Sequence, residues 1–389
     1  MATKLGSLDA PVRTVAVINK GSRSPVQLAP GTTLWNTSLG SRDIHFGLVD
    51  MPKPQLDWDH ELLSHAVLIR VEALSCNFRD RSYVALLHDQ LKNNPDVPAA
   101  HFGSDFVGTI VETGPQATLF STGQRVIPNM QYEGTERGGI PTNRASQGWL
   151  VLPQHSLREL PENWSTAEGA ATSLGVQTAH SMIRRAAPQR GSKVLVCSGR
   201  SSTSQFLIQL LRRKGINVDV LTTSTWNEEE IASLNSTGNA GSNESLAHSR
   251  GTAELLDIPL EAVNPASYDV VFDPFADLHL EGSLQALKPL GTYVTCGFAR
   301  QYHQAEKMPE LKINSLNLIQ TIISKNLTII GNCLGKESDL IEGVSLLREG
   351  STVPLGSQWE LSEVRQFLDL SFGQENASFG KNVLLYSSN

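Results

Sequence analysis

Apolar positions along the chain fall into two regimes. Up to about residue 160 they form short runs of about four to eight positions, broken by Gly and Pro, which predict strands. These runs are Val12–Ile18, Ala66–Ala73 (AVLIRVEA), Phe102–Gly114 (FGSDFVGTIVETG), Arg125–Pro128 and Trp149–Pro153. Residues 1–10 read as a loose tail, and Pro52, Pro54 and the polar run to His60 as a loop. Segment 1–163 is therefore expected to be a mainly β domain without internal repeats. At Ser165 the period changes. Glu168 stands three residues later, a capping-box spacing, and predicts a helix toward Ala170–Ala171. After an expected break at Gly175, helix continues through Thr178 to Arg185.

The stretch from Lys193 to Thr223 organises the second half of the chain. Val194–Cys197 has the length of a buried strand, and Ser198–Ser204 is a turn of small residues. Phe206, Leu207, Ile208, Leu210 and Leu211 give one apolar helical face, and Gly215 stands where a C-cap is expected. Asn217–Leu221 is a second buried strand. Strand, turn, helix and strand form a βαβ unit of the kind that opens a dinucleotide-binding domain. Such a turn normally reads G-x-G-x-x-G. Here it reads Gly199, Arg200, Ser201, Ser202, Thr203, Ser204. Two readings stand. The serine hydroxyls and Arg200 can meet a phosphate at the helix N-terminus, or the nucleotide site has decayed.

Beyond it, Tyr268–Phe272, Gly291–Cys296 and Leu327–Ile330 predict strands and Leu280–Leu287 a helix. Strands alternating with helices imply a parallel, doubly wound sheet. Residues 224–251, rich in Ser, Asn and Gly, read as a surface loop. Residues 129–148 form a second polar loop, either a binding loop or a solvated insertion. A helix after Gly335, another at Ser362–Leu370 and a strand at Val383–Tyr386 close the chain.

Length and charge narrow the class. A chain of 389 residues accommodates two domains, and a net charge of −7 argues against a nucleic-acid or anionic-membrane surface. Cys76, Cys197, Cys296 and Cys333 are scattered with no C-x-x-C pair, and three of the four sit in or beside apolar runs as buried thiols. With no apolar leader and no window approaching a membrane span, a reducing, cytoplasmic setting is expected.

Five stretches, in order, resemble the medium-chain dehydrogenase/reductase superfamily, and within it the zinc-free quinone and enoyl reductases. They are AVLIRVEALSCNFRD, FGSDFVGTIVETG, GAATSLGVQTAHSMI, YDVVFDPFADLHLEGSLQALKPLGTYVTCGF and FGKNVLLY. The resemblance implies an α/β protein with a GroES-like β domain (1–163 and 336–389), a Rossmann-like doubly wound domain (164–335) and a site in the cleft between them. Zinc-dependent members carry Cys where this chain has Asn77 and His where it has Ser104. Cys76 is one residue out of register. Asn and Ser are poor zinc ligands, so no metal is expected, and His101 nearby reads as a structural hydrogen bonder.

NADPH is the expected cofactor. The position about 20 residues past the turn, where an acid would hold the ribose 2′-OH, is Thr222, succeeded by Thr223 and Ser224. Asp219 lies inside the strand, and Arg300 is a candidate 2′-phosphate partner or a solvated loop charge. The resemblance places Thr178 near the nicotinamide. Cys296, Gly297, Phe298 and Asn332 are cofactor neighbours at strand ends. Asn77 is the candidate donor to a substrate carbonyl, against an Asx turn, and Tyr83 the candidate proton donor. Arg79 and Asp80 are expected to pair or brace the segment. The implied reaction is hydride transfer from NADPH to an activated C=C of a small-molecule, carrier-bound or peptide-bound substrate, by a homodimer that engages neither nucleic acid nor membrane. A quinone or carbonyl reductase and a noncatalytic relative remain alternatives.

Overall fold

A computed structural model describes residues 10–24, 26–131, 139–222, 224–235, 251–256, 258–299, 314–348, 353–373 and 379–386. They form two compact units. The first draws on 1–130, 139–174 and 355–389, the second on 131–138 and 175–354.

In the first unit, β1 (Val12–Ile18), β2 (Trp35–Leu39) and β3 (Arg42–Met51) join β5 (Ala99–Ala100) in a four-stranded sheet of order β2-β3-β1-β5. A second sheet runs β16 (Leu355–Glu360), β17 (Lys381–Leu385), β4 (Ala66–Ser75), β6 (Asp105–Thr113), β7 (Arg125–Pro128) and β9 (Leu157–Glu159), with β8 (Trp149–Pro153) paired to β4. β4 is buried over most of its length, which is why it reads as a near-continuous apolar run. Phe46 stacks on Phe372 at 5.7 Å, and Phe102 meets both edge-on. Helix α1 (Phe78–Asn93) comes after β4, and α2 (Thr166–Ala170) starts at the Ser165–Glu168 capping box, with both reciprocal hydrogen bonds formed.

Helix α3 (Ser173–Ala186) leads into the second unit. There the chain runs through β10 (Val194–Val196), α4 (Ser202–Arg213), β11 (Val218–Leu221), α5 (Glu228–Asn235), β12 (Ala253–Leu256), β13 (Tyr268–Asp273), α6 (Ala276–Ala286), β14 (Leu287–Thr295), α7 (Ser315–Lys325), β15 (Thr328–Gly331) and α8 (Glu337–Arg348). All six strands are parallel, in the order β12-β11-β10-β13-β14-β15. This is the doubly wound order 3-2-1-4-5-6. Leu195, Val271, Leu284 and Tyr293 anchor a core that Leu318 and Ile322 of α7 pack against. The chain returns to the first unit for α9 (Val364–Phe372) and β17. No helix among the described residues is long and apolar enough to cross a membrane.

Several expectations are corrected. Residues 224–251 are not all loop, since α5 occupies Glu228–Asn235; 236–250 lie outside the described residues. β12 adds a strand that its short half-polar run does not announce. Helix is interrupted at Ala171–Thr172, not at Gly175, where a Cβ would lie 2.6 Å from Phe206 of α4. Glycine at 175 thus lets α3 and α4 approach. Of the cysteines only Cys197 is fully buried; Cys76 and Cys296 are partly so, and Cys333 is exposed. Gly215 does take the left-handed conformation after α4, with φ 74°.

Candidate active site

In the first unit three strand ends meet. Register pairs Ser75 of β4 with both Asp105 of β6 and Val383 of β17. Two residues further along the antiparallel pair, Lys381 comes opposite Asn77. The Lys381 side chain is 2% exposed and that of Asp105 0%, and Lys381 Nζ donates to Asp105 Oδ2 at 2.5 Å. Its second acceptor is Asn77 Oδ1, also at 2.5 Å. Asn77 Nδ2 donates to Ser104 Oγ and Asp105 Oδ2, each at 3.0 Å. Ser104 Oγ in turn donates to the Asp80 carboxylate.

Asn77 begins α1 in extended conformation, and Asp80 accepts its backbone amide at 2.7 Å, one half of a capping box. Arg79 pairs with Asp80 at 2.9 Å. Burial pushes the Asp80 carboxyl above its ordinary pKa, against the pull of Arg79, the Asn77 amide and Lys381. Asp105 Oδ1 accepts the Leu174 amide at 3.0 Å. Every polar atom of the Asn77 side chain is therefore engaged within the protein. Both amide hydrogens of Asn77 are thus committed, to Ser104 Oγ and Asp105 Oδ2.

Tyr83 stands in the second turn of α1, half-buried, and its hydroxyl has no hydrogen bond among the described residues. His101 is a structural hydrogen bonder, its Nδ1 3.3 Å from Ser146 Oγ. Burial and the charge of Arg144 push its pKa down to about 4, keeping it neutral. Burial pushes the Cys76 thiol well above its ordinary pKa, so no thiolate stands beside Asn77. Among the described residues no three His, Cys, Asp or Glu side chains converge as metal ligands.

The second unit carries the serine loop. Ser198 takes φ 51° and its Oγ lies 2.8 Å from His279 Nε2. Ser201 is the N-cap of α4: its Oγ accepts the Ser204 amide at 3.1 Å and donates to Ser204 Oγ at 2.9 Å. Ser204 is fully buried, and its hydroxyl donates to Cys197 O at 2.7 Å. Arg200 pairs with Glu230 of α5 at 2.7 Å and donates to Thr225 O. A Cβ at Gly199 would run into Val220 and Trp226. The surviving glycine is thus required by packing beneath the loop. Ser201, Ser204 and Arg200, expected to meet phosphate, each make hydrogen bonds or an ion pair within the protein. The loop instead offers the amides of Ser202 and Thr203, which make no hydrogen bond among the described residues at the N-terminus of a twelve-residue helix.

Thr222 is buried, its Oγ1 donating to Ser224 O at 3.1 Å. Thr223 and Arg300 lie outside the described residues. Asp219 accepts the Tyr268 hydroxyl at 2.7 Å. Asn332 ties the end of β15 to α3, accepting from Ser181 Oγ at 3.0 Å and donating to Leu334 O. At the end of β14, Phe298 is 44% exposed, Gly297 O accepts the Ala276 amide, and burial pushes the Cys296 thiol up to about 12. Thr178 of α3 is 4% exposed, and its Oγ1 has no partner among the described residues. The Thr178 hydroxyl and the Ser202 and Thr203 amides, unpartnered among the described residues, are groups that a dinucleotide would satisfy.

Sequence reasoning missed Lys381. A lysine opening a strand ordinarily reads as a solvated charge. The signal was the tripeptide Gly380-Lys381-Asn382 before an apolar run, whose burial only the β4 and β6 pairing reveals.

Residues 64–150 match the alcohol dehydrogenase GroES-like domain. Over 72% of its length the chain is 29% identical to the mycoketide-CoA synthase of Mycobacterium tuberculosis, of which it spans only 6%. It is 26% identical over 86% of its length to a mouse (Mus musculus) synaptic vesicle membrane protein VAT-1 homolog-like, covering 76% of that protein. A third relative, the trans-enoyl reductase himH of Aspergillus japonicus, is 30% identical over 34% of this chain and 40% of its own. In fold, a cobalt- and zinc-bound thermostable alcohol dehydrogenase from Pyrobaculum aerophilum superposes with a TM-score of 0.66 at 21% identity, covering 96% of this chain and 99% of that one. A GroES-like unit and a doubly wound parallel sheet are what this chain has in common with that alcohol dehydrogenase fold. That architecture is the fold of the medium-chain dehydrogenase/reductase superfamily.

Proposed function

We propose that the protein is a zinc-independent, NADPH-dependent reductase of carbon–carbon double bonds conjugated to a carbonyl. The observation that carries this reading is the buried Lys381 ammonium held between Asn77 and Asp105. Those two residues, with Ser104, stand in the segments that hold zinc in metal-dependent members. A protein cation already neutralises the carboxylate there, and Asn and Ser are weak zinc ligands. Without a Lewis acid, a saturated alcohol or simple ketone is a poor substrate. An enone or enoyl thioester already delocalises its developing charge onto oxygen.

NADPH, when bound, would supply a hydride to the β-carbon of the substrate. The Ser202 and Thr203 amides would hold the pyrophosphate, and Thr178 would orient the nicotinamide end. Tyr83 is the proposed proton donor to the α-carbon. Asn77, Asp105 and Lys381 fix the start of α1 from which Tyr83 projects. NADPH is favoured over NADH because Thr222 and Ser224, not an acid, come after β11, while the one acid of β11, Asp219, is held by Tyr268.

The names of the relatives direct the substrate toward acyl thioesters, free or carrier-bound. We also propose a homodimer. Its support is an apolar stripe of Leu316, Ile319 and Ile323 on α7, 72%, 50% and 69% exposed, beside β15 at the edge of the sheet.

A second reading, a noncatalytic relative, has one observation in its favour: three loop side chains assigned to phosphate are engaged within the protein. The test is loss of NADPH absorbance with an enone and with crotonyl thioester, in parallel with direct NADPH titration. Binding with reduction of either substrate supports the reductase. Absence of NADPH binding favours the second reading.

A further inference from the structure

The first unit contains a cavity of about 810 Å³, within the ~300–1,000 Å³ range of small-molecule sites. One wall is α1, where Leu87 and Leu91 stand one turn apart on the same face as Tyr83. Val49 and Met51 of β3 and Val26 line it as well. This wall material is aliphatic. The remaining lining is mostly uncharged: Gln27, Gln90, Asn94 and Gln147 carry amides.

The charges decide what such a cavity takes. Tyrosine aside, its ionisable lining residues are Asp50, His101 and Arg144. Asp50 is matched by Arg13, through Nε–Oδ1 at 2.9 Å and Nη2–Oδ2 at 3.2 Å. His101 is neutral, with Ser146 Oγ 3.3 Å from its Nδ1. Arg144 is exposed and has no ion pair among the described residues. Arg144 and His101 both line the cavity. The cavity thus combines aliphatic walls, amide groups and one uncompensated cation.

We propose that this cavity binds an amphiphile with a single carboxylate head on Arg144 and a medium-length apolar body against Leu87, Leu91, Val26 and Met51. A guanidinium pairs with a carboxylate through two parallel N–H···O bonds, which a neutral alcohol head cannot accept equally. The cavity shares Tyr83 with the proposed reductase site, but the inference concerns ligand binding alone and stands whether or not the protein reduces a double bond.

The test is calorimetric titration of the full chain with decanoate and with decanol. Saturable one-to-one binding of decanoate is expected, with decanol weaker. Arg144→Gln should weaken decanoate by about tenfold and leave decanol unchanged. Gln90→Trp, on the exposed rim, should fill the space and abolish both while leaving the melting temperature in place. If that variant melts early, Gln27→Trp, at another exposed lining position, replaces it. Absence of saturable decanoate binding overturns the proposal, as does binding that survives both the Arg144 and tryptophan substitutions. Decanol binding as tightly as decanoate, with no effect of Arg144→Gln, overturns the assignment of the head group.

Discussion

Lys381 Nζ lies 2.5 Å from Asp105 Oδ2, with both side chains withdrawn from water. The two residues are 276 positions apart in the chain and meet because β17 and β6 both pair with β4. Breaking a buried pair by removing one partner costs about 3–5 kcal/mol, because the other charge is left uncompensated. Lys381→Met is therefore expected to destabilise the protein by that order in urea unfolding. The double variant Lys381→Met/Asp105→Asn should recover much of the loss. A single variant as stable as wild type would contradict the pairing.

The serine loop gives a divided expectation. Ser201→Ala removes an N-cap and Ser204→Ala a buried hydrogen bond to Cys197 O. Each should lower stability by about 1 kcal/mol, with NADPH affinity nearly unchanged. Ser202→Pro is the opposite case. Position 202 opens α4, where proline is tolerated, and Ser201 before it is already extended at φ −65°, ψ 146°. The substitution deletes one free amide. NADPH binding should weaken by roughly tenfold or more if that amide holds phosphate. Calorimetry and thermal melts on the three variants check both halves.

Much of this architecture is legible in the sequence where local chemistry decides it. Ser165 and Glu168 form their capping box from neighbouring residues, Gly215 takes its left-handed turn, and β4 and β10 appear as apolar runs. Elements whose pattern depends on distant partners are harder to read. α1 carries Asp80 and Arg81 on its buried side, so no apolar stripe announces it. Asp80 is satisfied by Ser104 and Arg79, and Arg81 by the carbonyls of Phe372 and Gly373. β12 has four residues, with Glu254 among them. The site divides the same way. Asn77, Ser104 and Thr178 stand out by position, but that Ser204 turns inward to Cys197 O and Arg200 to Glu230 is not revealed by spacing.

Thr178 offers a clean separation of stability from function. Its hydroxyl is buried and unpartnered, so Thr178→Val removes an unsatisfied group without changing shape. Stability should hold or rise slightly. Cofactor affinity or turnover should fall if the hydroxyl serves the nicotinamide. Unchanged turnover and binding would remove Thr178 from the site.

His101 sets a pH dependence. Burial, then Arg144, lowers its pKa from 6.5 to about 4 in the folded protein. Below pH 6.5 the unfolded chain takes up a proton that the folded chain refuses. The stabilisation is fully present above 6.5 and is lost as pH falls toward about 4. Wild type should therefore lose more stability than His101→Gln between about pH 7.5 and pH 5. Equal losses in the two proteins would show that His101 titrates alike folded and unfolded.

The most direct measurement of the central claim is NADPH-dependent reduction of an enoyl thioester by purified protein after exhaustive dialysis against chelator, with zinc measured on the same sample. The expected result is retained turnover to the saturated thioester with far less than one zinc per chain. About one zinc per chain in the untreated protein, with turnover lost on its removal and restored by its return, would contradict it.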